Sequence, residues 1–294
     1  MSARSPFPFP QLLPSELRAA ILPAVEGAEV ILLHSAPRSI GPVVGGIDAV
    51  VSVLLSALGP ARTLVVPTFT PDLVDPSCWQ ARPSAARMEA IRREMPIFDA
   101  ATTTPQQMGR LADQLWRRPE ALRSAHPVES IAAIGPRAEE LTRRHPIDDP
   151  MGPRSPWARM VELDAHVMLL GVGLTRCTMV HHAERMERVP YQSVAAYAMP
   201  MELEGPGGAR TWIEVDEAGG SCSDGFGALE PLLFAEGGLR ELSIGNARTL
   251  TVSSRELVRI ARALLSRDHA ALLCESLGCA HCCAARPLCA APRG

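Results

Sequence analysis

The chain of 294 residues contains no lysine, so all 29 of its basic residues are arginines. That absence excludes Schiff-base chemistry on a lysine and a lysine-dependent Walker A phosphate loop. Positive charge is not in excess either. The formal net charge is −3 and the pI about 6.3, which leaves no basic footprint for a nucleic-acid partner. No apolar run approaches the roughly 20 residues that span a bilayer. The opening stretch MSARSPFPFPQLLPSELRAA has neither the continuous apolar core nor the cleavage site of a signal peptide. A cytoplasmic location with no membrane partner is expected. Repeats, heptads, low-complexity tracts and a clear linker are also missing. The simplest organisation is one domain over residues 1–294, with residues 1–14 as an N-terminal tail and 274–294 as a cysteine-rich C-terminal segment.

What is present suits a sizeable core, with 47% hydrophobic and 21% charged residues. Ser15 is the expected N-cap of a helix over Glu16–Val25. EVILLHSA then reads as a buried strand, RSIGPVVGG as a loop, IDAVVSVLLSAL as an apolar helix ending at Gly59, and RTLVVPTFT as a second strand. Continuous apolar strands joined through a helix argue for an α/β sheet covered on both faces. Residues 71–96 read as a polar, irregular surface excursion. TTPQQMGRLADQLWRRP reads as a capped helix and SIAAIGPRAEELTRR as a strand turning into a helix. Residues 195–217 look β-rich, and ELVRIARALLSR is a late amphipathic helix.

The densest chemistry lies in LLGVGLTRCTMVHHAERMERVPYQ. Val167–Leu170 is a buried strand, the glycines break it, and a helix over Thr178–Glu187 follows. His181 and Glu184 are three residues apart and share a helical face; His182 points about 100° away and is read as supporting structure. A carboxylate beside an imidazole sets its tautomer and strengthens it as a base. On local sequence alone the same pair can equally be a surface pair of little energetic consequence.

Other segments offer weaker signals. The loop HSAPRSIGPVVGG runs from a strand into a helix, where backbone N–H groups favour an anion. Ser35, Arg38 and Ser39 add donors, and Gly45 and Gly46 admit a phosphate. LRSAHP reads as an exposed loop in which Arg123 can pair with a phosphate and His126 sits in extended backbone before proline. Asp72, Asp75, Asp148, Asp149, Glu214, Asp216 and Glu217 are loop carboxylates that would suit a polycationic substrate if they converge. Of eight cysteines, five fall between Cys274 and Cys289. Cys279 and Cys282 form a Cys-x-x-Cys pair, half of a zinc knuckle, with Cys222 or Cys274 able to supply a further ligand if the chain folds back. Free thiols are the other reading.

Taken together and in order, LLHSAPRSIG…VVGG, RTLVVPTFT, FDAATTTPQQMGRLADQLWRRPEALRSAHPVESIAAIG, SPWARMVELDAHVMLLGVG and TMVHHAERMERVPY resemble the aminoglycoside 3-N-acetyltransferase family, the non-GNAT antibiotic acetyltransferases. The ending GCAHCCAAR is similar to that of the apramycin-acetylating branch. The resemblance implies a three-layer α/β/α fold with a central mixed sheet and an elaborated C-terminal third. It implies acetyl transfer from acetyl-CoA to the 3-amino group of a 2-deoxystreptamine aminoglycoside, hence antibiotic resistance. In that frame His181 falls on the general base and Glu184 on the acidic residue of its motif. Ser35, Arg38, Ser39, Ile40, Gly45, Gly46, Arg123 and Ser124 fall on the coenzyme A site. His126 lies near the active site, and Asp72, Asp216 and Glu217 are the nearest candidates to hold the drug. Cys279 and Cys282 are candidate zinc ligands. The chain departs from the family in having Cys177-Thr178 before the histidine and Ala36 after Ser35. The other readings are a same-fold acetyltransferase for a non-antibiotic amine, and a catalytically idle zinc- or thiol-binding protein on this fold.

Overall fold

The structure is a computed structural model that describes residues 11–79, 81–192, 196–202, 210–215 and 222–290. Its centre is built from three short apolar strands, β1 (Val30–Ser35), β2 (Thr63–Pro67) and β5 (His166–Leu170). β1 lies between the other two and pairs parallel with both. Strands buried on both faces have no polar alternation to show, which is why all three read as continuous apolar runs. The flanks are antiparallel: β4 (Ile131–Ile134) on β2, β3 (Leu122–Arg123) on β4, β9 (Ala247–Ser253) on β5, and β8 (Leu239–Ile244) on β9. The result is a mixed sheet of seven strands in the order β3-β4-β2-β1-β5-β9-β8.

Side chains alternate across this sheet. Ile31, Leu33, Met168 and Leu170 face one apolar layer, covered by α1 (Pro14–Val25), α2 (Gly46–Leu58) and α4 (Gly109–Trp116). Val30, Leu32, Val167 and Leu169 face the other. That second layer is thicker. It holds α5 (Ala138–Thr142), α6 (Pro156–Glu162), α7 (Met179–Glu187), α8 (Leu229–Ala235), α9 (Ser254–Leu265) and α10 (Ala280–Cys289), packed around the fully buried Trp157 and Phe226. A separate hairpin of β6 (Tyr197–Glu202) and β7 (Arg210–Val215) stands outside the main sheet. No helix among the described residues is long and apolar enough to cross a membrane.

Three expectations are corrected. Ser15 is not the N-cap of α1. The helix begins two residues earlier, at Pro14, with Leu13 as its N-cap, and the Glu16 carboxylate accepts from the Leu13 N–H at 2.9 Å; proline's fixed φ suits the first helical turn. The helix over Gly109–Trp116 has no side-chain cap and follows Gln107 at φ 60°. Residues 71–96 are not irregular throughout. Two 3-10 turns, Pro71–Leu73 and Pro76–Cys78, lead to α3 (Ala85–Glu94), which buries none of its residues. A helix without an apolar face needs another tether. Arg92 supplies it, bonding the buried Asp75 carboxylate at 2.6 and 2.8 Å and drawing the Asp75 pKa down to about 2.

Candidate active site

The loop after β1 leads to α2 on one face of the sheet, while the loop after β5 leads to α7 on the opposite face. Neighbouring parallel strands whose connections diverge open a crevice at their carboxyl ends. A cavity of about 740 Å³ fills that crevice, walled by residues following β1, β2 and β5. At its base the two loops meet. The Ala36 N–H donates to Leu170 O at 2.9 Å, and Ser39 Oγ donates to Ala36 O at 2.7 Å. A Cβ on Gly171, at φ +68°, would stand 1.7 Å from Ser39 Oγ, so glycine is required there.

The β1 side contributes His34, Ser35 and Ala36 to the cavity wall. His34 is buried with Nε2 unpartnered, and burial lowers its pKa to about 4; the ring is neutral at physiological pH. Arg38 is exposed and makes no ion pair among the described residues. Ser39 commits its hydroxyl within the loop. Ile40 is buried, and its carbonyl accepts from Asn246 N–H at 3.0 Å, so it anchors the loop under the β8–β9 turn. Gly45 and Gly46, at φ +85° and +65°, are exposed at the start of α2, and neither lines the cavity. Leu12 clamps this loop from outside, donating to Pro42 O and accepting from Val44 N–H.

The β5 side contributes Val172, Arg176, Thr178 and His181. His181 Nδ1 lies 2.7 Å from Glu184 Oε2, and the Tyr191 hydroxyl donates to Glu184 Oε1 at 2.7 Å. The Glu184 side chain is only 2% exposed against 12% for His181. Gln192 donates to the Glu184 carbonyl at 2.9 Å, and Phe226 meets the His181 ring edge to face at 4.7 Å. With Nδ1–H donating to the carboxylate, the lone pair falls on Nε2 of a ring that borders the cavity. His182 turns away, buried, with Nδ1 2.6 Å from Met151 O. Burial pushes the Cys177 thiol up to about 12, which excludes it as a nucleophile at neutral pH.

The third wall carries Phe69, Pro71, Val74, Val128, Glu129 and Tyr197. Asp72 is exposed and does not line the cavity, and Asp75 is committed to Arg92. Asp216 and Glu217 lie outside the described residues. LRSAHP is not an exposed loop. Arg123 sits in β3, stacked between Phe98 and Trp116, with donors committed to Thr68 Oγ1, Thr68 O, Ser130 Oγ and Thr103 O. Ser124 is buried, bonded to His145 Nδ1 at 2.9 Å and to Ile131 N–H at 3.0 Å. The fully buried His126 stacks 4.8 Å from His145, and its Nδ1 accepts from the Glu129 N–H at 2.9 Å. These contacts use three of the five guanidinium N–H groups of Arg123 inside the fold.

The C-terminal cysteines converge. One sulfur each from Cys222, Cys274, Cys279 and Cys282 falls within 4.8 Å of the others. A smaller cavity of about 280 Å³ lies against them and shares Arg176 and Ser223 with the main one. Sequence reasoning misses His34, Glu129, Arg176, Tyr191 and Tyr197. His34, Glu129, Arg176 and Tyr191 do stand inside the quoted stretches, and their ionisable side chains are the available signal.

An aminoglycoside 3-N-acetyltransferase family model matches residues 32–266. Aminoglycoside N(3)-acetyltransferase VII of Streptomyces paromomycinus is 34% identical over 212 residues, 69% of each chain. Among solved structures, a variant of aminoglycoside acetyltransferase AAC(3)-IVa in complex with a gentamicin superposes with a TM-score of 0.76 at 30% identity, over 96% of this chain and 99% of that one. AAC-IIIb in binary complex with CoASH superposes with a TM-score of 0.74 at 26% identity, over 88% and 97%.

Proposed function

The chain belongs to the aminoglycoside 3-N-acetyltransferase family, and from that premise we propose direct acetyl transfer from acetyl-CoA to the drug amine with His181 as general base. The observation that carries this reading is the relay Tyr191–Glu184–His181 ending at the cavity wall. An aminoglycoside amine is mostly ammonium at neutral pH and cannot attack a thioester until a proton leaves. One proton leaves to solvent to give the neutral amine, and His181 Nε2 takes a second as the nitrogen bonds to the thioester carbonyl carbon. The tetrahedral intermediate then expels the coenzyme A thiolate, which recovers the proton from the His181 imidazolium. Glu184 holds the imidazolium in place, and Tyr191 holds Glu184.

Coenzyme A fits the β1 side. Ser35 lines the cavity, and Arg38, Gly45 and Gly46 are exposed in the loop that follows it, with the α2 N-terminus favouring phosphate. AAC-IIIb with its bound CoASH supports a coenzyme partner, and AAC(3)-IVa with its bound gentamicin supports an aminoglycoside one. The oxyanion donor is Thr178 or the backbone N–H groups after Ser35. Thr68 is unsuited, because its hydroxyl is engaged by Ser130 and Arg123.

The four-sulfur cluster fits a structural zinc site. A tetrahedral site with Zn–S bonds of about 2.3 Å puts sulfurs roughly 3.8 Å apart, within the spread that the cluster shows. Cys222, Cys274, Cys279 and Cys282 would hold the ion, which supplies a crosslink between the α10 N-terminus and the segments before it.

Thiol release from acetyl-CoA, read together with product mass against apramycin, gentamicin, kanamycin and streptomycin, tests the function. One acetyl group on each 2-deoxystreptamine drug and none on streptomycin is expected. Silence across the panel overturns the aminoglycoside assignment.

A further inference from the structure

A polycationic acceptor needs anionic partners, yet acidic residues are scarce where the acceptor must sit. Glu129 is the only acidic residue among the described residues that line the main cavity. It lies in the turn between β3 and β4, just after Val128. Its backbone is pinned, because the Glu129 N–H donates to His126 Nδ1 at 2.9 Å and the Val128 N–H to the same nitrogen at 3.2 Å. One carboxyl oxygen, Oε1, receives the Tyr197 hydroxyl at 3.2 Å. The other, Oε2, is buried and has no hydrogen-bond partner. Tyr197, from the β6–β7 hairpin, borders the same cavity.

A buried carboxyl oxygen without a partner costs free energy, so its persistence in a cavity wall wants an explanation. Structural bracing accounts for Oε1 only, since Tyr197 and the pinned backbone would serve as well with a glutamine there. An incoming cation accounts for Oε2. Desolvation drives the Glu129 pKa up to about 8, against the smaller opposing effect of the Tyr197 bond. In the free protein the group is thus held largely neutral at pH 7, and an adjacent ammonium makes the ionised form favourable.

We propose that Glu129 is a substrate-positioning carboxylate that pairs through Oε2 with one non-reacting ammonium of the aminoglycoside, with Tyr197 holding the other oxygen. This deepens the acetyltransferase reading and rests on it. The pair fixes the drug across the cavity from His181, so that binding energy from a remote amine orients the reacting one.

The test is Glu129→Gln, which keeps the size of the side chain and removes its charge. A charge-assisted hydrogen bond is worth about 10- to 100-fold in affinity. The aminoglycoside KM is expected to rise by that factor, with the loss in kcat/KM carried through KM and the acetyl-CoA dissociation constant held within twofold. Glu129→Asp, which keeps the charge on a shorter arm, falls between the two. Melting temperatures at or above that of the wild type exclude a loss of folding. An aminoglycoside KM within twofold of wild type in Glu129→Gln overturns the proposal, as does an Asp variant as weak as the Gln variant. A wild type that transfers no acetyl group to any aminoglycoside overturns the parent reading, and wild-type transfer with an unmoved KM overturns only the role of Glu129.

Discussion

Two histidine sites in this molecule look alike in sequence and differ in chemistry. His181 and His126 each stand in a short polar motif after a strand, and each is largely buried. His181 has a buried carboxylate on Nδ1 and a cavity beside it. His126 has backbone N–H donors on Nδ1, a second imidazole stacked at 4.8 Å, and a pKa lowered to about 4 by burial. The second ring is locked neutral, and its position repeats the logic of a turn, with the side chain satisfying backbone donors. What separates a base from a brace is the partner on the far nitrogen and whether the near one meets open space.

The largest expected effect comes from removing the base. His181→Ala should lower turnover by about 10²- to 10⁴-fold, while acetyl-CoA affinity measured by calorimetry stays near that of the wild type. Wild-type-like turnover in this variant would end the comparison at once. Glu184→Gln comes next, with kcat down by about 10²-fold, because an amide can offer either its oxygen or its NH₂ to Nδ1 and no longer fixes the tautomer. Tyr191→Phe should cost only several-fold, read in the same assay. At the other site the effect moves from rate to stability. Ser124→Ala removes the bonds to His145 and Ile131 and should lower the melting temperature by a few degrees, with the thermal loss outweighing the kinetic one.

The buried histidines His34 and His126 also carry a pH signature. An unfolded histidine takes a proton near 6.5, whereas folded His34 and His126 do so only near 4. Between those values the unfolded state binds more protons, so stability is complete above about pH 6.5 and falls as pH drops toward 4. Glu129 acts in the opposite sense. Its folded pKa of about 8 exceeds the ordinary glutamate value of 4.5, so stability falls as pH rises between them and Glu129→Gln should flatten that limb. Urea melts across pH 4 to 8 read both slopes. A smaller and separate expectation concerns the cysteines. The purified chain should carry one zinc per molecule by metal analysis, and Cys282→Ser should lose it together with several degrees of melting temperature.

The parts of the fold legible in the sequence were those with strong local signals. β1, β2 and β5 announced themselves as uninterrupted apolar runs, and α9 as an amphipathic helix. His181 and Glu184 were legible because three residues on a helix make a contact that spacing alone implies. Other features depend on distance along the chain. Arg123 reads as a free cation until Thr68 and Ser130 are brought to it by the pairing of β4 with β2. Asp75 reads as a loop acid until Arg92 folds back on it. Cys222 joins Cys274, Cys279 and Cys282 only through the packing of the second apolar layer. Glu129 was hidden for the converse reason, since one acidic side chain in a buried segment gives no periodic signal at all.

The cavity has Arg176 on its wall, and no lysine occurs anywhere in the 294 residues. A reactive thioester poised beside a lysine would in time acylate it, consuming donor and neutralising a charge. A guanidinium stays protonated at any physiological pH and is inert to that reaction. An activated acyl donor bound in this cavity would therefore meet a positive charge that it cannot acylate.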